Sequence, residues 1–209
     1  MAAKKVGVMG GSFNPIHMGH LLLAEWVKEE CGLDQILFIP AGCPYMKEGT
    51  ELASGEDRLQ MVLLAIEGIA EFSASSMEIA RGGYTYTYET MEQLSMEAPD
   101  TEYSFIMGAD CLFKMEYWKS PDRILKSCRL IAAARNGANL DEMKEKAKEL
   151  ENRFGGQITV VAFPEVAVSS TDIRERIKKK KSIRFLVPEL VQKYMTDRGL
   201  YEEHGYTQN

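Results

Sequence analysis

Val6-Gly7-Val8-Met9-Gly10-Gly11-Ser12-Phe13-Asn14-Pro15-Ile16-His17-Met18-Gly19-His20 joins an apolar run, a glycine pair and two histidines. Val6 to Met9 reads as a buried first strand, and the two histidines stand where it passes into a first helix. Gly10 and Gly11 leave backbone amides open to an anion at the point where the next helix aims its positive end, as a phosphate-holding turn requires. A tight strand-to-helix turn without a ligand would also use such a pair. Neither G-x-G-x-x-G nor G-x-x-x-x-G-K-[ST] is present, which disfavours the common dinucleotide fingerprint and the P-loop.

His17 and His20 stand three apart across a first helical turn, so both imidazoles can face whatever the turn holds. Histidines at a helix start also serve as ordinary polar residues. A zinc site would need further ligands. The third histidine is His204, far along the chain, and no H-E-x-x-H occurs, so no protein metal ligand is expected.

Outward from this stretch, Ile36 to Ile39, Tyr103 to Met107, Leu130 to Ala134 and Ile158 to Phe163 are further unbroken apolar runs, as strands buried on both faces require. Helical patterns lie between them. Leu59, Val62, Leu63, Ile66 and Ala70 form one predicted stripe behind a Ser54/Asp57 capping box. Leu140, Met143, Ala147, Leu150 and Phe154 form another. Alternating strands and helices imply right-handed crossovers and a doubly wound α/β domain with a parallel sheet. Ligands then bind beyond the carboxyl ends of the strands. One domain over 1–209 is expected, with a helical portion from about residue 170 in which Pro188 suits a first helical position. Lys178 to Lys181 reads as a solvated helix face.

The chain has 209 residues, 45% of them hydrophobic, and a formal net charge of −6. That size supports a core without staples. The acidic balance gives no general attraction to nucleic acid or anionic membrane, so a phosphate site must be a local concentration of donors. Cys31, Cys43, Cys111 and Cys128 form no C-x-x-C pair, which points to reduced thiols and a cytoplasmic protein. No segment reads as a signal sequence or a membrane span.

The string Gly10 to His20 resembles the HxGH signature of the nucleotidyltransferase superfamily, which implies a Rossmann-like fold and histidines set against the phosphates of a nucleoside triphosphate. Later segments are similar to the bacterial nicotinate-nucleotide adenylyltransferase family in particular, in that family's order. Ile39 to Lys47 resembles its loop ending in proline, histidine and lysine, with Met46 replacing the histidine and Lys47 retained. Arg81-Gly82-Gly83-Tyr84-Thr85-Tyr86-Thr87-Tyr88-Glu89-Thr90 resembles the segment entering a helix beside the nicotinate pocket, with Thr87 at the helix start. Gly108-Ala109-Asp110 resembles the family's GAD motif, Trp118 its pyridine-stacking tryptophan, and Val168-Ser169-Ser170-Thr171-Asp172-Ile173-Arg174 its ISSTxIR pattern. Taken alone, the alternating Tyr and Thr could be a half-exposed strand, Trp118 a packed side chain and Ser169-Ser170-Thr171 an ordinary helix cap.

The resemblance implies that Gly10, Gly11, Ser12, Phe13, His17, His20, Gly108, Asp110, Ser169, Ser170, Thr171 and Arg174 bind ATP. It implies that Asn14, Lys47, Tyr86, Thr87, Trp118 and Arg135 bind nicotinate mononucleotide, and that His17, His20, Lys47 and Arg174 carry catalysis. Mg²⁺ would arrive with ATP. The expected partners are these two small molecules, with no nucleic acid and no membrane; a homo-oligomer is compatible with the sequence. The implied product is nicotinate adenine dinucleotide, with pyrophosphate leaving. Phosphopantetheine and nicotinamide-mononucleotide adenylyltransferases share HxGH, so the substrate rests on Tyr86-Thr87, Trp118 and the lysine loop. A nicotinamide-dinucleotide oxidoreductase would need a glycine spacing that this chain lacks and would leave both histidines unexplained. A non-catalytic nucleotide sensor would leave the charged positions without a task.

Overall fold

The computed structural model describes residues 3–43, 52–134, 139–164 and 166–202. Among them, six parallel strands form one sheet in the order β3-β2-β1-β4-β5-β6. In chain order the strands are β1 (Lys4–Gly11), β2 (Gln35–Pro40), β3 (Phe72–Ala74), β4 (Thr101–Gly108), β5 (Arg129–Ala134) and β6 (Ile158–Ala162). The helices are α1 (Met18–Glu30), α2 (Gly55–Ala65), α3 (Met77–Arg81), α4 (Thr87–Glu97), α5 (Ala109–Lys114), α6 (Pro121–Ser127), α7 (Leu140–Phe154), α8 (Ser170–Lys178) and α9 (Glu189–Asp197), with a short 3₁₀ turn over Met115–Tyr117.

The apolar runs are unbroken because side chains alternate between two covered faces. Met9, Phe38, Ile106, Ile131 and Val161 pack with α1, α2, α8 and α9. Val8, Ile39, Phe105, Met107, Leu130 and Ala132 pack with α4, α5, α6 and α7. This is the doubly wound sheet. Its strand order reverses between β1 and β4, so a crevice opens at their carboxyl ends, where Gly10 and Gly11 lie beside Gly108.

The five expected strands are present, and β3 is a sixth. It is three residues long and paired only with β2, so it has no apolar run to announce it. Ser54 caps α2, accepting from the Asp57 amide at 3.0 Å. The expected apolar stripe of α2 is rotated, however. Leu63 is 43% exposed, and Ala70 is exposed and lies beyond the helix, which ends at Ala65. Val62 and Ile66 are buried as expected, but Arg58, Met61 and Ala65 face inward beside them, the Arg58 head group being drawn to interior carbonyls. In α7 the buried positions are Met143, Ala147 and Leu150, as the pattern predicts; Leu140 is exposed at the helix start.

Ser169 caps α8 through the Asp172 amide at 3.0 Å, while Pro188 is the N-cap of α9 and not its first helical residue. Lys178 is the last residue of α8. Lys179, Lys180 and Lys181 are exposed in the turn beyond it, so the run is solvated at a helix end, where cations suit the dipole, and not along a face.

Candidate active site

The first turn of α1 fixes both histidines. His17 is the N-cap, with extended backbone, and is almost fully buried; His20 is three positions on. The His17 amide donates to His20 Nδ1 at 3.2 Å. An Nδ1 that accepts this bond leaves Nε2 as the ring atom placed to donate. The two imidazoles stack with centroids 3.7 Å apart, and the Phe13 ring meets His20 edge-on at 5.1 Å. Gly19 makes room for this pair: a Cβ there would lie 3.1 Å from two atoms of the His17 ring.

Behind the turn, polar groups tie it to the rest of the chain. Asn14, 2% exposed, accepts at Oδ1 from the Ala53 amide at 3.1 Å and the Tyr201 hydroxyl at 2.6 Å. Ser170 Oγ donates to the Pro15 carbonyl at 2.9 Å, and Arg174 Nη1 donates to the Asn14 carbonyl at 2.8 Å. The Met18 amide donates to the Leu186 carbonyl at 2.9 Å. The cap segment of α8 is thus docked on the glycine turn, which brings Ser169, Ser170, Thr171 and Arg174 to the side of His17 and His20. Phe13 buries its ring in the core with φ +45°.

On the other side a cleft of about 520 Å³ runs from Gly10, Gly11 and Ser12 to Tyr86, Thr87 and Trp118. Thr87 is the first residue of α4 and Tyr86 its N-cap, so the positive end of that helix meets the cleft. Trp118 is held edge-on by Phe105, with centroids 6.2 Å apart. Lys119 also lines the cleft, its Nζ 4.1 Å from the centroid of the Tyr86 ring. Glu78 braces the wall: its carboxylate accepts from Thr85 Oγ1 at 2.8 Å and Thr90 Oγ1 at 2.7 Å.

Gly10, Gly11 and Ser12 therefore share one cleft with Tyr86, Thr87 and Trp118. Gly108 ends β4 at the crevice, and Asp110 lies in the first turn of α5. Asn14 is held beneath the turn, away from the cleft lining. Lys47, Met46, Arg135 and His204 lie outside the described residues. Arg58, Glu78, Lys119 and Tyr201 were not singled out from the sequence; Arg58 on an otherwise apolar helix stripe was the one local signal. Among the described residues no group of three or more His, Cys, Asp or Glu side chains could hold a metal ion.

A switch-point crevice, a glycine turn and an HxGH helix start define a nucleotidyltransferase-type α/β protein, and the cytidylyltransferase-like family model matches residues 8–176. Full-length relatives narrow this further. The probable nicotinate-nucleotide adenylyltransferase of Lachnoclostridium phytofermentans is 42% identical over 198 residues, covering 95% of this chain and 99% of that one. The protein of the same name from Dehalococcoides mccartyi is 41% identical over 205 residues, covering 96% and 98%. The chain belongs to the nicotinate-nucleotide adenylyltransferase family. Its fold is that of the Plasmodium falciparum nicotinic acid mononucleotide adenylyltransferase solved with NaAD, at TM-score 0.76 and 18% identity, covering 95% of this chain and 97% of that one.

Proposed function

We propose that the protein transfers the adenylyl group of ATP to nicotinate mononucleotide, releasing pyrophosphate and forming nicotinate adenine dinucleotide for NAD biosynthesis. The observation that carries this reading is the single cleft joining the glycine turn of β1 to the wall of Tyr86, Thr87 and Trp118. Triphosphate belongs at the turn, and the pyridine ring belongs against Trp118. The positive end of α4 at Thr87 suits the carboxylate that distinguishes nicotinate from nicotinamide.

In this mechanism an oxygen of the nucleotide 5′-phosphate attacks the α-phosphorus of ATP. The new P–O bond forms as the bond from the α-phosphorus to the bridging oxygen breaks, and that oxygen leaves with pyrophosphate. A phosphate monoester with a second pKa of about 6 is already largely dianionic near neutrality, so no general base is required. Catalysis is then alignment plus stabilisation of charge on the α-phosphate and the leaving group. His20 is suited to donate from Nε2 to phosphate and unsuited to accept a proton at Nδ1, which already holds the His17 amide. His17, Lys47 and Arg174 are the further donors, Gly108, Asp110 and the α8 cap residues complete the ATP site, and Arg135 contacts the nucleotide. Mg²⁺ enters with ATP and takes its ligands from phosphate and water.

The substrates are small molecules, and no helix among the described residues is long and apolar enough to cross a membrane. The same reading sets the enzyme in the cytoplasm. The test is product analysis with Mg-ATP and nicotinate mononucleotide. Dinucleotide and pyrophosphate should appear in equal amounts, and His20→Ala should lower kcat by orders of magnitude while thermal unfolding is retained. Absence of dinucleotide from the wild-type reaction would overturn the assignment, and near-normal turnover by His20→Ala would remove that residue from the mechanism.

A further inference from the structure

Arg58 carries a charge into the interior directly behind the glycine turn. It is 1% exposed, and its guanidinium donates to three carbonyls: Nε to Ala53 at 3.1 Å, Nη1 to Ser12 at 2.9 Å and Nη2 to Gly42 at 3.0 Å. These oxygens belong to three separate pieces of backbone. Ser12 is in the turn after β1, Gly42 in the stretch leaving β2, and Ala53 just ahead of the α2 cap. One planar fork therefore sets the spacing of all three.

No ion pair among the described residues includes Arg58. Burial pushes its pKa down, opposed by Tyr201, Cys43 and Glu78, yet a guanidinium stays protonated at neutral pH. Three carbonyl dipoles and Glu78, a carboxylate that forms no ion pair with it, compensate a buried cation only in part, and holding three carbonyls needs donors but no net charge. An anionic ligand on the far side of Ser12 would add counter-charge to that of Glu78.

We propose that Arg58 is a positioning residue for the transfer: it fixes the glycine turn against the two flanking backbone segments and holds a buried positive charge behind the polyphosphate. The proposal rests on the adenylyltransferase reading, and wild-type turnover tests that reading separately. Arg58 touches no substrate in this scheme; it acts through the backbone of Ser12 and through its field.

Two variants of the full chain separate the charge from the geometry. Arg58→Gln keeps polar donors and loses the charge; Arg58→Lys keeps the charge and loses the fork. Binding of inorganic pyrophosphate and of nicotinate mononucleotide is measured by titration calorimetry, alongside kcat and KM. For Arg58→Gln, the pyrophosphate Kd should rise about tenfold or more, while that of nicotinate mononucleotide changes by less than about threefold. For Arg58→Lys, pyrophosphate affinity should stay within about threefold of wild type while kcat falls about tenfold or more. Wild-type pyrophosphate affinity in Arg58→Gln, or equal weakening of both ligands, would overturn the proposal. If Arg58→Gln fails to fold, Arg58→Lys decides alone: a wild-type kcat overturns the proposal, and a lowered kcat with retained pyrophosphate binding supports it.

Discussion

Replacing Asp57 with asparagine removes a carboxylate that joins the start of α2 to α9. Asp57 Oδ2 accepts from Ser54 Oγ at 2.6 Å, Oδ1 accepts from the Tyr194 hydroxyl at 2.8 Å, and Arg198 Nη2 lies 3.3 Å from Oδ1. Burial alone would raise the carboxyl pKa, but Ser54, Tyr194 and Arg198 together outweigh it and hold the pKa below the usual value. Burial and the same carboxylate push the Tyr194 phenol up. Asparagine retains one acceptor, so the loss is about one charge-assisted hydrogen bond plus a small share from the largely exposed Arg198, about 2–3 kcal/mol in all. For a chain of this length that is about 4–12 °C in Tm.

Because folding lowers this pKa, the stabilisation is fully present above the unfolded value of about 3.9 and is lost as pH falls through the lower folded value. Thermal unfolding of wild type and Asp57→Asn from pH 7 downward should give a Tm gap that is constant near neutrality and shrinks below about pH 4. A gap under about 1 °C at pH 7, or one undiminished at pH 3, would refute the reasoning.

Gly7→Ala would place a methyl 2.7 Å from Leu33 Cδ1, 2.8 Å from Ile36 Cδ1 and 2.9 Å from Ile106 Cδ1. Overpacking of this kind costs about 1–3 kcal/mol, so calorimetry should show a Tm about 2–12 °C lower, and an unchanged Tm would contradict it. Burial pushes the Cys128 thiol up to about 12, whereas Cys43 is exposed. Thiol labelling of native protein at pH 8 with peptide mapping should find Cys43 modified and Cys128 intact; the reverse order would be inconsistent with the packing. Trp118→Ala should raise KM for nicotinate mononucleotide about tenfold and leave KM for ATP within about threefold, as read from initial rates.

The strands were legible because burial on two faces removes polar residues from them, and Ser54 and Ser169 announced their helices because a cap needs a hydroxyl beside free amides. β3 escaped because one partner strand and three residues impose no pattern. The site was legible where the chain makes it locally, in Gly10 to His20, Tyr86-Thr87 and the α8 cap. It was illegible where distant residues meet. Asn14, read from the sequence as a ligand contact, spends Oδ1 on Ala53 and Tyr201, the latter 187 residues away. Nothing in the sequence links Arg58 to Ser12, Gly42 and Ala53; only the fold brings their carbonyls around it.

We propose that the adenylyl acceptor is chosen by its carboxylate. The most direct test is kcat/KM of the wild-type enzyme, from pyrophosphate release with Mg-ATP, for nicotinate mononucleotide, nicotinamide mononucleotide and phosphopantetheine in parallel. Turnover with nicotinate mononucleotide should be well above that with nicotinamide mononucleotide, and none should occur with phosphopantetheine. Equal use of the two pyridine nucleotides, or activity only with phosphopantetheine, would contradict it.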